Sequence, residues 1–199
     1  MKRFDCLKIL SPLITDQLVV LGMTGIHWEW NHLSKHEGNM KIGSMGNAAA
    51  VALGMALGLP HRTVIGLESD GSSLLDLATV TTIGRYLPEN LKIFVFDNQV
   101  YSGSRISQPT ATSIRASLEG IARGAGVETA KTIHDVESFE REARRAIGEK
   151  GVQYVVVKVQ EDTDARKLPK PTMDYLEHKY HFVRYIERTE GKDILPSHR

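Results

Sequence analysis

Two features of the sequence predict a doubly wound α/β fold: a mostly parallel sheet with helices on both faces, followed by a C-terminal helical extension. Apolar runs of strand length alternate with longer segments of helical period, the pattern of crossover units built around a parallel sheet. The runs are rich in valine and isoleucine and apolar nearly throughout, as strands buried on both faces must be. At 199 residues the chain can bury a sizeable core. The expected organisation is an α/β domain over residues 1–160 and a connector with a helical extension over 161–199.

The predicted strands are Leu18–Leu21, Thr63–Leu67, Lys92–Phe96 and Tyr154–Val159. Between the first two lies Ala48–Leu57, a run of small and apolar residues read as a helix, in which Gly54 and Gly58 would permit close approach to a neighbour. Leu74–Tyr86 and Ser138–Ile147 read as helices with mixed faces. The latter has acid in its first turn and Arg144-Arg145 near its end, as the helix dipole favours. Past Val159 the chain is charged and carries Pro169 and Pro171, the mark of an exposed connector. Helical spacing resumes from Met173 to Ile186, and Tyr175, Leu176, Tyr180, Phe182, Val183 and Ile186 are expected to dock on the body or on a partner chain.

Composition excludes several functions. With 25 basic and 24 acidic residues the net charge is +1, which gives no electrostatic footprint for nucleic acid or anionic lipid. Cys6 is the lone cysteine, so no intrachain disulfide forms and a reducing compartment fits. Met1–Asp5 holds no long apolar stretch, and Leu18–Met23 is too short for a bilayer span or a signal. A cytoplasmic protein is expected.

Two strand ends carry chemistry. Thr63–Ser72 reads as strand, tight turn and helix start, with Asp70 at the rim and the amides of Gly71 and Ser72 free for phosphate. Lys92–Asn98 delivers Asn98 to the same rim, outside the carboxyl ends of the strands where open α/β sheets bind ligands. A magnesium ion takes about six oxygens, often one or two from side chains and the rest from phosphates and water. Asp70, Asn98 and a nearby backbone carbonyl supply the protein's share. Taken singly, Asp70-Gly71-Ser72 is a helix cap and Asp97-Asn98 a turn; their joint occurrence favours a site.

A third element, Gly43-Ser44-Met45-Gly46, precedes the alanine-rich helix that starts at Asn47 or Ala48. With it, the stretch from Thr15 to Val159 resembles the diphosphate-binding domain of thiamine diphosphate-dependent decarboxylases, particularly the β subunit of sulfopyruvate decarboxylase and the related part of phosphonopyruvate decarboxylase. The resemblance implies a subunit that binds thiamine diphosphate and Mg2+ and decarboxylates a 2-oxo acid with a sulfonate or phosphonate at C3. It also implies that the Gly43 carbonyl accepts from the aminopyrimidine and that Met45 bends the cofactor into a V, the catalytic contribution of this chain. Asp70, Asn98 and the Val100 carbonyl would be the metal ligands. Thr24, Gly25, Ser44, Gly71, Ser72 and Tyr101 would complete the cofactor contacts, and Gln108-Pro109-Thr110 resembles the family's Gln-x-Thr. The glutamate that activates the pyrimidine is carried by a separate domain in this family, and so is expected here from a partner α subunit in a hetero-oligomer.

Ser69 stands where the family usually has glycine, Asp97 where asparagine is common, and Ser102–Arg105 where Gly-Ser-Thr-Gly is usual. The same cofactor half would also serve another thiamine-dependent carboligase or oxidoreductase, or a non-catalytic binder. A nucleotide-binding domain is disfavoured, since no G-x-G-x-x-G follows the first strand. His27, His32 and His36 read as solvated or partly packed, although His27 lies close enough to Thr24-Gly25 to face a substrate. Trp28 and Trp30 read as packing residues and His134-Asp135 as a helix cap. Arg105 and Lys41 are candidate contacts for an anionic substrate tail.

Overall fold

The computed structural model describes residues 1–23, 25–102, 106–161, 167–169 and 172–195. Its centre is a six-stranded sheet of β1 (Leu18–Leu21), β2 (Asn39–Lys41), β3 (Val64–Ser69), β4 (Leu91–Asp97), β7 (Lys131–Ile133) and β8 (Gln153–Lys158), in the order β2-β1-β3-β4-β8-β7. Every pairing is parallel. A two-residue hairpin, β5 (Val100–Tyr101) with β6 (Gln108–Pro109), stands apart. All four expected strands are present, within two residues at each end. The two that sequence reading missed, β2 and β7, are the three-residue strands at the sheet's edges, too short for an apolar run to register.

Helices cover both faces. On one side α3 (Ala48–Gly58), α5 (Leu77–Tyr86), α6 (Leu118–Gly124) and α8 (Tyr175–Glu190) pack Ala52, Val80, Ala122 and Phe182 against Val64, Ile93 and Val156. On the other, α1 (Arg3–Leu10), α2 (Gly25–Leu33) and α7 (Val136–Gly148) pack Leu7, Trp30 and Phe139 against Val19, Phe94 and Val155. The alternation of β4 explains this division, because Ile93 and Val95 face one layer while Phe94 and Phe96 face the other. Cys6 is on the buried face of α1, and burial pushes its thiol up to about 12, so it is unreactive filling.

Several details correct the sequence reading. The helix expected over Leu74–Tyr86 is two helices, α4 (Asp70–Leu75) and α5, divided at Asp76, whose carboxylate caps α5 at the Thr79 amide. Gly54 and Gly58 face open space; the close approach to α3 is made by Gly66 on β3, where a Cβ would lie 3.3 Å from that of Ala52. Asp135 does cap α7 through the Ser138 amide, at 2.8 Å. The extension α8 docks on the body through Phe182, Tyr185 and Ile186, and Glu190 ties it down by accepting from Arg62 at 2.7 Å. Among the described residues no helix is long and apolar enough to cross a membrane.

One packing contact gives a direct test. Gly84 lies so close to the α6 end that a Cβ would sit 1.8 Å from the Ala125 carbonyl oxygen, a backbone atom that cannot swing aside. Replacing glycine by alanine in a helix ordinarily gains about 1 kcal/mol, whereas overpacking costs about 1–3 kcal/mol. Gly84→Ala is expected to lose stability on balance, read as a lower midpoint in urea unfolding; a raised midpoint would show that α5 and α6 are not in this contact.

Candidate active site

The parallel sheet brings the ends of β1, β2, β3, β4 and β8 to one rim, and the informative residues collect there. Ser69 pairs with Phe96 at the last β3–β4 register position, so the following residues, Asp70 and Asp97, are neighbours. Both are buried. Asp97 is fully engaged: Oδ1 accepts from Thr112 Oγ1 at 2.8 Å and from the Gln99 amide at 3.1 Å, and Oδ2 is 2.5 Å from Lys158 Nζ on β8. Asp70 differs. Its Oδ2 accepts from Thr110 Oγ1 at 2.7 Å, but Oδ1 is buried with no hydrogen-bond partner.

A buried carboxylate with an unpaired oxygen is costly in its charged form. Burial raises the pKa of Asp70 and the nearby Asp97 charge raises it further, against the lowering effect of the Thr110 hydrogen bond. Thr112 Oγ1 lies 2.8 Å from Thr110 Oγ1 and 3.2 Å from Asp70 Oδ2, so the two threonine hydroxyls link Asp70 to Asp97.

The metal hypothesis is tested by this donor set. Asp70 Oδ1 is an orphaned hard oxygen, and Asn98, which follows Asp70's neighbour Asp97, has its Oδ1 held by the Val100 amide at 3.2 Å. Gln99, at φ 65°, turns the chain back so that Val100 and Tyr101 return along the rim. Among the described residues no group of three or more His, Cys, Asp or Glu could hold a metal. A cation here therefore needs oxygens from a ligand, which is how Mg2+ binds beside a diphosphate. The residues fit that ion.

A cleft of about 260 Å³ opens over these residues, lined by Met23, Ile26, Met45, Gly71, Asn98 and Tyr101 together with Arg3, Ser69, Val100 and Ser102. Met45 is 40% exposed, an apolar side chain projecting into the cleft with little to cover it. Gly71 is a required glycine, because a Cβ there would lie 2.5 Å from the Tyr101 ring. Gly43 is equally confined: a Cβ would meet the ring of Tyr175, from the first turn of α8, at 3.2 Å. Thr24 and Arg105 lie outside the described residues.

Two expected phosphate contacts are placed differently. The Ser72 hydroxyl is turned away from the cleft, donating to Glu68 Oε1 at 2.5 Å and accepting from the Gly46 amide at 2.7 Å. The Ser72 amide is not free, since Ser69 is the N-cap of α4 and its Oγ accepts that amide at 3.4 Å. Ser44 is likewise occupied, accepting from Asn47 Nδ2 at 2.6 Å.

Glu68 was missed, and it organises this half of the site. Its second oxygen accepts from the Ala49 amide at the start of α3, at 3.0 Å. One buried carboxylate thus binds β3, α4 and the α3 N-terminus together and fixes the turn Gly43–Gly46, in which Gly46 has φ 85°. The signal was present, as Glu68 is the one charged residue inside the run from Val64 to Leu67 and Ser69. Arg3 also went unnoticed. It reaches the cleft from α1 and is held by a buried bidentate pair with Glu29, at 2.7 and 3.1 Å.

Comparison with known proteins gives a consistent answer. Residues 22–158 match the family described as thiamine pyrophosphate enzyme, C-terminal TPP binding domain. The sulfopyruvate decarboxylase subunit beta of Methanocaldococcus jannaschii is 30% identical over 193 residues, covering 94% of this chain and 98% of that protein. A sulfopyruvate decarboxylase of Methanosarcina acetivorans is 29% identical over 172 residues, which are 85% of this chain but 44% of that longer protein. Among solved structures, benzoylformate decarboxylase from Polynucleobacter necessarius superposes with a TM-score of 0.67 at 15% identity, over 81% of this chain and 34% of that one. That likeness concerns the fold, and the chain spans about a third of the solved protein's length.

The carboxyl of Asp70 yields a pH test. Its folded pKa is raised above the unfolded value, so its contribution to stability is complete below the ordinary carboxylate range and is lost as pH rises through the raised value. At neutral pH without metal, Asp70→Asn is expected to be more stable than the parent by on the order of 1 kcal/mol, and this advantage should vanish in acid. Urea unfolding of both proteins in chelator across pH checks it; an advantage independent of pH would refute the assignment.

Proposed function

The chain belongs to the thiamine pyrophosphate enzymes, and on that premise we propose that it is the cofactor-binding subunit of a heteromeric, Mg2+-dependent 2-oxo acid decarboxylase acting on a 3-sulfo- or 3-phosphonopyruvate. The observation that carries the reading is the orphaned Asp70 Oδ1, buried at the rim where Gly71 and Asn98 follow the neighbouring residues Asp70 and Asp97. A buried carboxylate oxygen that the protein leaves unpaired calls for a compensating water, ion or ligand.

Thiamine diphosphate, when bound, supplies the electron sink that lets a carboxyl group leave from carbon next to a carbonyl. The chain's residues supply geometry and charge. Asp70, Asn98 and the Val100 carbonyl would hold Mg2+, whose charge would compensate the buried Asp70 carboxylate. Gly71, free of a side chain, lets the Tyr101 ring pack against the start of α4. Met45 would support the bend between the cofactor's rings, and the Gly43 carbonyl would orient the aminopyrimidine. The apolar side chains of Met23, Ile26 and Met45 keep water from the reacting carbon.

A partner α subunit is proposed to bring the activating glutamate. Two things support it: the beta-subunit name of the relative that matches end to end, and the match to less than half of the longer sulfopyruvate decarboxylase. The lone, buried Cys6 suits a cytoplasmic setting.

Calorimetry tests the site: Asp70→Ala is expected to weaken Mg2+-dependent thiamine diphosphate binding by about 100-fold or more, a loss of some 2.7 kcal/mol, and retained tight binding would remove the assignment. Carbon dioxide release from 3-sulfopyruvate tests the assembly. The chain alone is expected to be inactive and to gain activity with the product of an adjacent gene carrying the pyrimidine-binding glutamate; full activity of the chain alone would exclude the subunit reading.

A further inference from the structure

Among the described residues three buried side-chain polar atoms have no hydrogen-bond partner: Asp70 Oδ1, His27 Nε2 and His178 Nδ1. The first belongs to Asp70, at the end of β3. The other two belong to residues that line a second cavity, of about 320 Å³, between α2 and α8 along the edge of β2. No residue lining it lines the cofactor cleft.

Its other polar side chains are largely satisfied within the fold. Trp30 Nε1 donates to Asn39 Oδ1 at 2.9 Å, Asn39 Nδ2 donates to Ser34 Oγ at 3.2 Å, and His36 Nδ1 accepts from the Gly38 amide at 3.1 Å. Lys35 donates to the Asn31 carbonyl. The one acid on the wall, Glu37, accepts from Arg188 at 2.6 Å. The unmet demand is therefore confined to two imidazoles, which meet edge to face with centroids 6.4 Å apart. Two N–H donors at that spacing can converge on one oxyanion through hydrogen bonds of about 2.8 Å.

The electrostatics have a matching sign. Lys41 Nζ lies 3.9 Å from the Tyr175 ring centroid and acts on both histidines, and Lys35, His36 and His181 line the cavity. Burial, with Lys41 and His178 adding to it, lowers His27 to about 3, so it is a neutral imidazole able to donate one N–H.

We propose that this cavity is a second ligand site, which holds a small acid by its sulfonate, phosphonate or carboxylate group between His27 Nε2 and His178 Nδ1 in the field of Lys41. The site shares no lining residue with the cofactor cleft, and only the choice of sulfonate or phosphonate as headgroup rests on the proposed substrate. It closes the first turn of α8 over β2, since His178 is one turn beyond Tyr175, the residue that covers Gly43. The same headgroup chemistry is offered by an organic acid such as the substrate's tail and by a free inorganic anion.

The test is NMR of the full chain with labelled histidine, titrated separately with sulfoacetate, methanesulfonate and inorganic phosphate. The His27 and His178 signals, assigned with His27→Gln and His178→Gln, are expected to shift together and saturate with a Kd on the order of 1 mM or tighter. Lys41→Met should weaken binding by about tenfold, and Asp70→Ala should leave it unchanged. His178→Gln, on a half-exposed helix position, should abolish the His27 response while the thermal midpoint and thiamine diphosphate affinity stay at parental values. Tighter binding of sulfoacetate identifies an organic acid as the ligand, and tighter binding of phosphate an inorganic one. Absence of a saturable shift with every probe, or an unaltered titration in His178→Gln, overturns the proposal.

Discussion

Three carboxylates buried at the ends of two adjacent strands govern this rim, and the way each is neutralised decides what the surrounding structure does. Glu68 is met by the Ser72 hydroxyl and the Ala49 amide, and Asp97 by Lys158, Thr112 and the Gln99 amide. Asp70 receives the hydroxyls of Thr110 and Thr112 on one oxygen, at 2.7 and 3.2 Å, and nothing on the other. Burying a charge without a partner costs several kcal/mol, so the first two are fixed parts of the scaffold, while Asp70 keeps one oxygen without a partner. Glu68 fixes the turn bearing Met45, and Asp97 anchors the strand end that Asn98 follows.

The family differences at positions 69 and 97 follow from the same arrangement. A serine at 69 can cap α4, a task glycine leaves to water or ligand, and its Oγ takes the Ser72 amide. The cap removes one amide donor from the phosphate side of the site and stabilises the helix that starts with Asp70. An aspartate at 97 adds a negative charge beside Asp70 and helps raise the latter's pKa. That charge is tolerable because Lys158, its register neighbour on β8, lies 2.5 Å away. The two strands therefore carry a compensated pair where an asparagine would have needed none.

Much of the fold was legible because the central strands are continuous apolar runs. Leu18–Leu21 was located to the residue, and the register of β3 against β4 makes neighbours of the two motifs that sequence spacing had suggested. The edge strands escaped notice for a physical reason: β2 and β7 have three residues each, too few for an apolar run. The site residues Met45, Gly71, Asn98, Val100 and Tyr101 were legible as motif positions and do line one cleft. Ser72 and Ser44 were not, because a hydroxyl's partner depends on rotamer and neighbours; Glu68 fixes the first and Asn47 the second.

The histidines show where composition and position must be read together. His27 was legible as a residue near a phosphate-side loop, yet its neighbour Ile26 lines the cofactor cleft and His27 itself faces the opposite cavity, because consecutive helical residues diverge by about 100°. Its partner, His178, comes from a segment 151 residues later and only tertiary packing brings the two rings together. The extension beyond residue 160 thus does more than cover apolar surface. Through Tyr175 it confines Gly43, through Glu190 it is clamped to Arg62, and between these anchors it closes a cavity whose polar demand the chain does not meet by itself. A helix held at both ends over an unsatisfied pair of imidazoles is stabilised by whatever anion satisfies them, since a ligand that binds the folded state alone shifts the equilibrium toward it. Its first turn, by the same linkage, is held against the Gly43 turn.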